Sequence, residues 1–524
     1  MTGTWEVSFT PGTAYGPVHG GINLTMNKHV DEKSDNVVVP TKLSNKEGSP
    51  SAETVEGRTL PEGNSQQTTV DRTQSRVTTS SDLLFVRQAA QARKDVRFSA
   101  LLHHIDVELL EQSYFALKRK AAPGIDGVSW QAYGEGLKES LKDLHQRIHR
   151  GSYRAKPARR RMIPKADGTE RPLSILCLED KIVQQAVVYV LEAIYEPEFL
   201  GFSYGFRRGR SQHDALDALS AGIYRLRVNW VLDADIQGFF DAMEHDWILR
   251  FLQHRIADKR LLRLITKWLK VGTIHEGRHE LSCQGTPQGA VISPILANVY
   301  LHYVFDLWAN HWRQERASGD VLMVRYADDL VLGFEHEGEA RSFLAEMRER
   351  LQMFGLTLHP EKTRLIQFGR RAINDRKRQG LGKPETFDFL GFTHFCTTSR
   401  KRGSFVIGRK TIRKRMCAQL AFIKQELRRR LHDSIYATGM WLRRVLQGYL
   451  NYFAVSGNDH SLWQFYNRVR CYWLKALRRR SQKAFLSWSR FMRLTGGFFP
   501  RIRVLHPLPL TRFDARTRRR SPVR

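Results

Sequence analysis

Hydrophobic and polar positions divide the chain into four regimes. Up to about residue 80, Ser, Thr, Gly, Asn and Gln predominate and no hydrophobic period develops, which predicts a mostly disordered segment. From about residue 83, "DLLFVRQAAQARKDVRFSALLHHI" and "VELLEQSYFALKRK" carry apolar residues at helical spacing with basic faces between them. "AAPGIDGVSW" then breaks the helix through Pro123, Gly124 and Gly127. Between about 160 and 400, strand-like and helical runs alternate, as in an α+β domain. "DKIVQQAVVYVLEAIYEPEF" reads as a strong amphipathic helix, "NWVLDADIQGFFDAM" as a strand and turn, and "VLMVRYADDLVLGF" as two apolar strands around a tip. Beyond about 400 the pattern becomes helical and basic. In "SLWQFYNRVRCYWLKALRRR", Leu462, Tyr466, Val469, Trp473 and Leu477 share one face, so the aromatics read as bundle core and the Arg runs as an outer face.

Charge changes this picture by implying a partner. Across 524 residues, 84 Lys and Arg face 53 Asp and Glu, a formal net charge of +31, which calls for a polyanion and most plausibly nucleic acid. No apolar run is long enough to span a bilayer, so no membrane partner is expected. The opening residues lack the basic and apolar regions of a secretory signal, and Met26 is an alternative start. The 5 cysteines show no C-x-x-C spacing, which argues against a disulfide framework or thiolate zinc site and fits a reducing cytoplasm.

Candidate chemistry begins at the tip of "VLMVRYADDLVLGF". Asp328 and Asp329 put two like charges between apolar strands, and burying them costs several kcal/mol per ion without compensation. A lone Asp-Asp pair is usually a solvated turn; the alternative is a bound divalent cation. Phosphoryl transfer by two metal ions needs carboxylates from more than one place. Asp235 supplies a second place, because it ends a half-buried alternating strand just before the turn at Gly238. If that strand pairs with the "YADD" hairpin, Asp235, Asp328 and Asp329 meet at one end of a sheet. Asp233 lies further back on the strand, and Asp241 falls past the turn.

D-I-x-G-F-F-D from Asp235, with Y-A-D-D downstream, resembles motifs A and C of reverse transcriptases, and "QGTPQGAVISPILANVYLHYVFD" between them resembles motif B. "IPKADGTERPLSILCLEDKIVQQAV" and "FLGFSYGFRRGRSQHDAL" resemble fingers blocks of group II intron-encoded reverse transcriptases, while "GLTLHPEKTRLIQF" and "FDFLGFTHF" resemble blocks ending their palm. "RKAAPGIDGVSW" resembles their N-terminal extension, and the basic helices beyond 410 their thumb, or maturase, region. The resemblance implies an α+β right-hand polymerase. Residues 1–82 would be mostly disordered, 83–405 fingers and palm with the N-terminal extension, 406–500 the helical thumb/maturase (X) domain, and 501–524 a basic tail. It further implies an RNA-directed DNA polymerase encoded by a group II intron, also binding intron RNA as a maturase to promote splicing and mobility. The expected partners are intron RNA, an RNA template with DNA primer, dNTPs and target DNA.

Carried over by residue, the resemblance makes Asp235, Asp328 and Asp329 ligands of two Mg2+ ions, with Mn2+ as an alternative. Hard oxygen ligands suit that ion, which keeps other positions for water and phosphate. Lys362 matches a lysine near the leaving pyrophosphate, a candidate general acid. Lys165 and Arg171 match residues gripping the triphosphate, although alone they would read as surface charges. Gln288 matches the contact to nucleotide sugar and base, and Gly285 and Gly289 allow close backbone approach. Phe240 matches the gate against a ribose 2′-hydroxyl, although in isolation it reads as core packing. Arg208 departs from the Pro preferred by the family and reads as surface variation.

"IHEGRHE" contains the H-E-x-x-H of zinc proteases, but Gly272 and Gly277 predict a turn or loop where that chemistry requires a helix. No Cys-rich endonuclease segment is apparent after the last helices, as in the compact bacterial class, so another source of primer is expected. A splicing factor with a decayed polymerase site, or a related enzyme recruited to another process such as phage defence, are the rival readings. The three aspartates, Gln288 and Lys362 favour an active polymerase.

Overall fold

The computed structural model describes residues 81–164, 170–399, 403–480 and 486–518. The segment expected to be disordered therefore lies outside the described residues, apart from Ser81 and Asp82, which open the first helix. That helix (Ser81–Ala92) and Val107–Ala116 pack on Leu178–Tyr195, whose 18 residues are buried on nearly every side. Helix Leu137–His149 packs in turn on Val107–Ala116. Asp106 starts Val107–Ala116 by accepting a bond from the Leu109 amide, as an N-cap should.

Among the described residues eleven strands form three sheets. In chain order, β1 (Ala158–Pro164) and β2 (Glu170–Ile175) form an antiparallel pair, and β3 (Trp230–Asp235) belongs to a second sheet. β4 (Thr273–His275) and β5 (Arg278–Glu280) return to the first sheet, giving the order β2-β1-β4-β5. β6 (Val321–Tyr326), β7 (Asp329–Phe334) and β8 (Arg364–Gln367) complete the second, antiparallel sheet in the order β6-β7-β3-β8. β9 (Phe387–Phe389), β10 (Phe392–Thr398) and β11 (Phe405–Thr411) form the third. Every residue of β6 and β7 is buried, which explains why they read as continuous apolar runs rather than alternating ones. β11 crosses the boundary expected at 405/406, because its register with β10 runs from Phe405 to Thr411.

Helices Arg413–Arg429, Ile435–Phe453, Asp459–Arg478 and Trp488–Thr495 enclose a separate core that includes Leu462, Tyr466, Val469, Trp473 and Leu477. The predicted stripe is the buried face. The expected basic tail behaves differently over its described part: Pro509–Arg518 is a helix docked on Gln212–Arg225. Phe513 is buried there, Arg512 lies 3.0 Å from Asp217, and Arg225 lies 2.7 Å from Asp514. Arg516 pairs with Asp214, and the His506 ring stacks on His213 with centroids 3.6 Å apart. Those acids neutralise charges that the sequence assigned to a solvated end. No described helix is long and apolar enough to cross a membrane.

Candidate active site

Strand register brings the carboxylates together. β3 and β7 pair so that Asp235 stands opposite Asp329, and β6 pairs with β7 so that Tyr326 also stands opposite Asp329. Asp328 lies in the connecting turn, half-buried, while Asp235 and Asp329 are buried. Asp233 sits back along β3 as expected, 3.8 Å from Arg364. The "HPEKT" turn closes over this sheet end: His359 N donates to the Asp235 carbonyl at 2.6 Å, and Lys362 Nζ comes to 3.4 Å from Asp235 Oδ2.

The turn itself rests on a buried network that sequence reasoning missed. Ala327 has φ +49°, a conformation costly for a residue with a Cβ, so its surroundings must impose it. Arg325, fully buried, donates to both carboxylate oxygens of Asp306 at 2.6 Å, and to Ser203 Oγ at 2.5 Å and the Ala327 carbonyl at 3.3 Å. Asp306 ends a π-helical turn (His302–Asp306) inside an otherwise α-helical rod, a local bulge of the kind found at functional sites. Gly205 lies so near the turn that an added Cβ would come within 2.3 Å of the Ala327 nitrogen, which requires glycine there. The available signal was one charged residue inside the otherwise apolar run "VLMVRY".

A second cluster joins Arg171 of β2 to Gln288 and to Asp241 of the short helix Phe239–Ala242. Arg171 Nε donates to Gln288 Oε1 at 2.9 Å, Gln288 Nε2 donates to Asp241 Oδ2 at 2.8 Å, and the Gln288 carbonyl accepts from Ser174 N at 2.7 Å. Asp241 and Gln288 line a cavity of about 330 Å³ with Arg160, Pro172 and Thr286. Gly285 lies against Asp241, where a Cβ would come within 2.9 Å of its Cα, and Gly289 has φ +101°. Phe239 and Phe240, adjacent in sequence, part company: Phe239 is buried against Tyr300, whereas Phe240 is half-buried with its ring 6.3 Å from Phe206. Lys165 lies outside the described residues.

Arg208 is exposed, as a surface position should be, and it also has partners. Its guanidinium lies 2.5 Å from Glu192 and over the Tyr189 ring, and it opposes the burial that pushes the Glu192 carboxyl up to about 7. The H-E-x-x-H stretch is the β4–β5 hairpin, with its turn at Glu276 and Gly277 and His275 and His279 on different rungs. That removes the helical face a zinc protease requires.

Three acidic side chains at the end of an antiparallel sheet, a basic sheet beside them and a basic helical bundle beyond define a right-hand template-directed polymerase. The sequence profile of the reverse transcriptase (RNA-dependent DNA polymerase) family matches residues 163–394. Protein YkfC of Escherichia coli K12 is 33% identical over 313 residues, covering 52% of this chain and 82% of that protein. An uncharacterised 91 kDa protein in the cob intron of Schizosaccharomyces pombe is 32% identical over 260 residues, covering 40% of this chain and 32% of its own length. The group II intron-encoded protein LtrA of Lactococcus lactis subsp. cremoris is 36% identical over 192 residues, 36% of this chain and 31% of LtrA. The chain thus spans about a third of the length of the last two relatives. It belongs to the reverse transcriptase family, in its group II intron-encoded branch.

Proposed function

We propose that the chain extends a DNA primer on an RNA template, the primer 3′-hydroxyl attacking the α-phosphate of a dNTP with release of pyrophosphate. The observation that carries this reading is the register setting buried Asp235 opposite buried Asp329, with Asp328 in the adjoining turn. These three are the ligands for two Mg2+ ions, or Mn2+. Among the described residues no group of three His, Cys, Asp or Glu side chains is gathered so that it could hold a metal ion by itself. Mg2+ at nucleotide sites is held by one or two carboxylates together with the substrate phosphates. When bound, the ions would acidify the 3′-hydroxyl and offset charge building on the phosphate.

The chain's own residues orient the reactants. Arg171 grips the triphosphate, joined by Lys165 on the strength of the resemblance alone. Gln288 contacts the sugar and base, Gly289 leaves room for their approach, and half-buried Phe240 stands as the sugar gate. Lys362, held beside Asp235, donates a proton to the leaving pyrophosphate. The exposed arginines of the helical bundle bind intron RNA, giving a maturase acting in the cytoplasm, and target DNA follows the same basic surfaces. Replacing Asp328 or Asp329 by Ala should lower dNTP incorporation on a primed RNA template by on the order of 10³-fold while RNA binding persists. Near-normal synthesis by either variant would overturn the reading.

A further inference from the structure

Gln288 can act on a nucleotide only if its amide faces the right way, and two neighbours determine that. An amide presents an acceptor on one side and donors on the other. Arg171 Nε, a donor, meets Oε1 at 2.9 Å, and the Asp241 carboxylate, an acceptor, meets Nε2 at 2.8 Å. Turned over, the amide would set N–H against N–H and oxygen against carboxylate, so only one orientation is compatible with both partners. The Gln288 backbone is fixed independently, by the bond from Ser174 N. Asp241 is fixed as well, because it lies in the short helix Phe239–Ala242, whose backbone packs against Gly285.

We propose that Asp241 is the positioning residue for Gln288. This rests on the reading of Gln288 as the nucleotide contact. Arg171 must turn to the triphosphate when a nucleotide binds, and Asp241 is then the neighbour that keeps the amide from turning over. Asp241 touches no reacting atom in this scheme. It sets the affinity of the site for dNTP rather than the rate of the chemical step, and it does so as a carboxylate that only accepts, the property that tells the two amide orientations apart.

The test is single-nucleotide incorporation by the full chain on a primed RNA template. Asp241→Ala should raise the dNTP KM about tenfold, the loss of one charge-assisted hydrogen bond, with kcat within about twofold. Asp241→Asn, whose amide can pair with Gln288 in either orientation and carries no charge, should leave KM raised nearly as far as Asp241→Ala. In a Gln288→Ala background, Asp241→Ala should add nothing further, because the group it positions is gone. Additive effects of the two substitutions, or an Asn variant with the parent's KM, would overturn the proposal. Asp241 is exposed, so both variants are expected to melt with the parent, and a matching Tm confirms that the comparison is between folded proteins. Asp329→Ala run alongside separates the two ideas: if it still polymerises, the polymerase reading has failed, whatever Asp241 does.

Discussion

Neighbouring residues of one type take different roles here according to where the backbone turns. Phe239 and Phe240 look interchangeable in the sequence, yet only the second remains half-buried, next to Asp241 of the Gln288 cluster. Phe240→Val should therefore improve rNTP use relative to dNTP by roughly tenfold or more, since a pocket discriminates by the volume it denies. Single-nucleotide competition measures this, and an unchanged ratio would return Phe240 to core packing. The aspartates were legible because charge inside an apolar pattern is expensive and therefore informative. Arg325 carried the same signal and was overlooked, since its partner Asp306 lies on another element and no spacing rule joins them. The link between Gln288 and Asp241 was equally hidden, because 47 residues separate them and only the folded chain brings them together.

Elements were most legible where one face alone is buried. The stripe from Leu462 to Leu477 predicted both a helix and its buried side. The docking of Pro509–Arg518 was not legible, because its arginines match acids on Gln212–Arg225 that themselves read as an ordinary polar face. This contact makes a pH prediction. Burial, His506, Arg512 and Arg409 hold His213 down at about 3, although its ring Nε2 donates to the Tyr452 carbonyl. The folded protein keeps His213 neutral while the unfolded chain takes a proton near 6.5, so its contribution is present above that pH and lost as pH falls toward 3. The loss is at most about 1.4 kcal/mol per pH unit for one proton. Asp217, pushed up to about 7 by burial against the pull of Arg512 and Arg409, has the opposite sign, so the total slope mixes both. His213→Gln isolates the histidine: between pH 7.5 and 5 the parent's Tm should fall relative to the variant's. A constant difference would show that His213 titrates in the folded protein as it does in the unfolded chain.

At the scale of the whole molecule, the two cores separate the work. The carboxylate site belongs to the large core and the basic helices to a smaller one, so RNA affinity and polymerisation should respond to different substitutions. The structure also sorts the arginine runs. Arg430 is engaged with Glu426 and Asp433, and Arg478 donates to the Leu486 carbonyl, whereas Arg479 and Arg480 are exposed at the end of Asp459–Arg478. Replacing Arg479 and Arg480 by Gln should weaken RNA binding and flatten its dependence on log salt, by roughly 0.7 to 0.9 for each phosphate no longer neutralised. Titrations at several salt concentrations would show this, with incorporation at saturating RNA unchanged. An unaltered slope would make the two arginines a solvated face.

The docked helix also bears on how the enzyme is made. Asp214 and Arg516 meet across 302 positions of sequence. A ribosome adding about 5–20 residues per second needs roughly 15–60 s to travel between them. For nearly all of that interval Asp214 and Asp217 of Gln212–Arg225 lack Arg516 and Arg512, although Arg409 has been made part-way through it. Translation that stops within the last helix would release a chain holding every polymerase motif but lacking this closure.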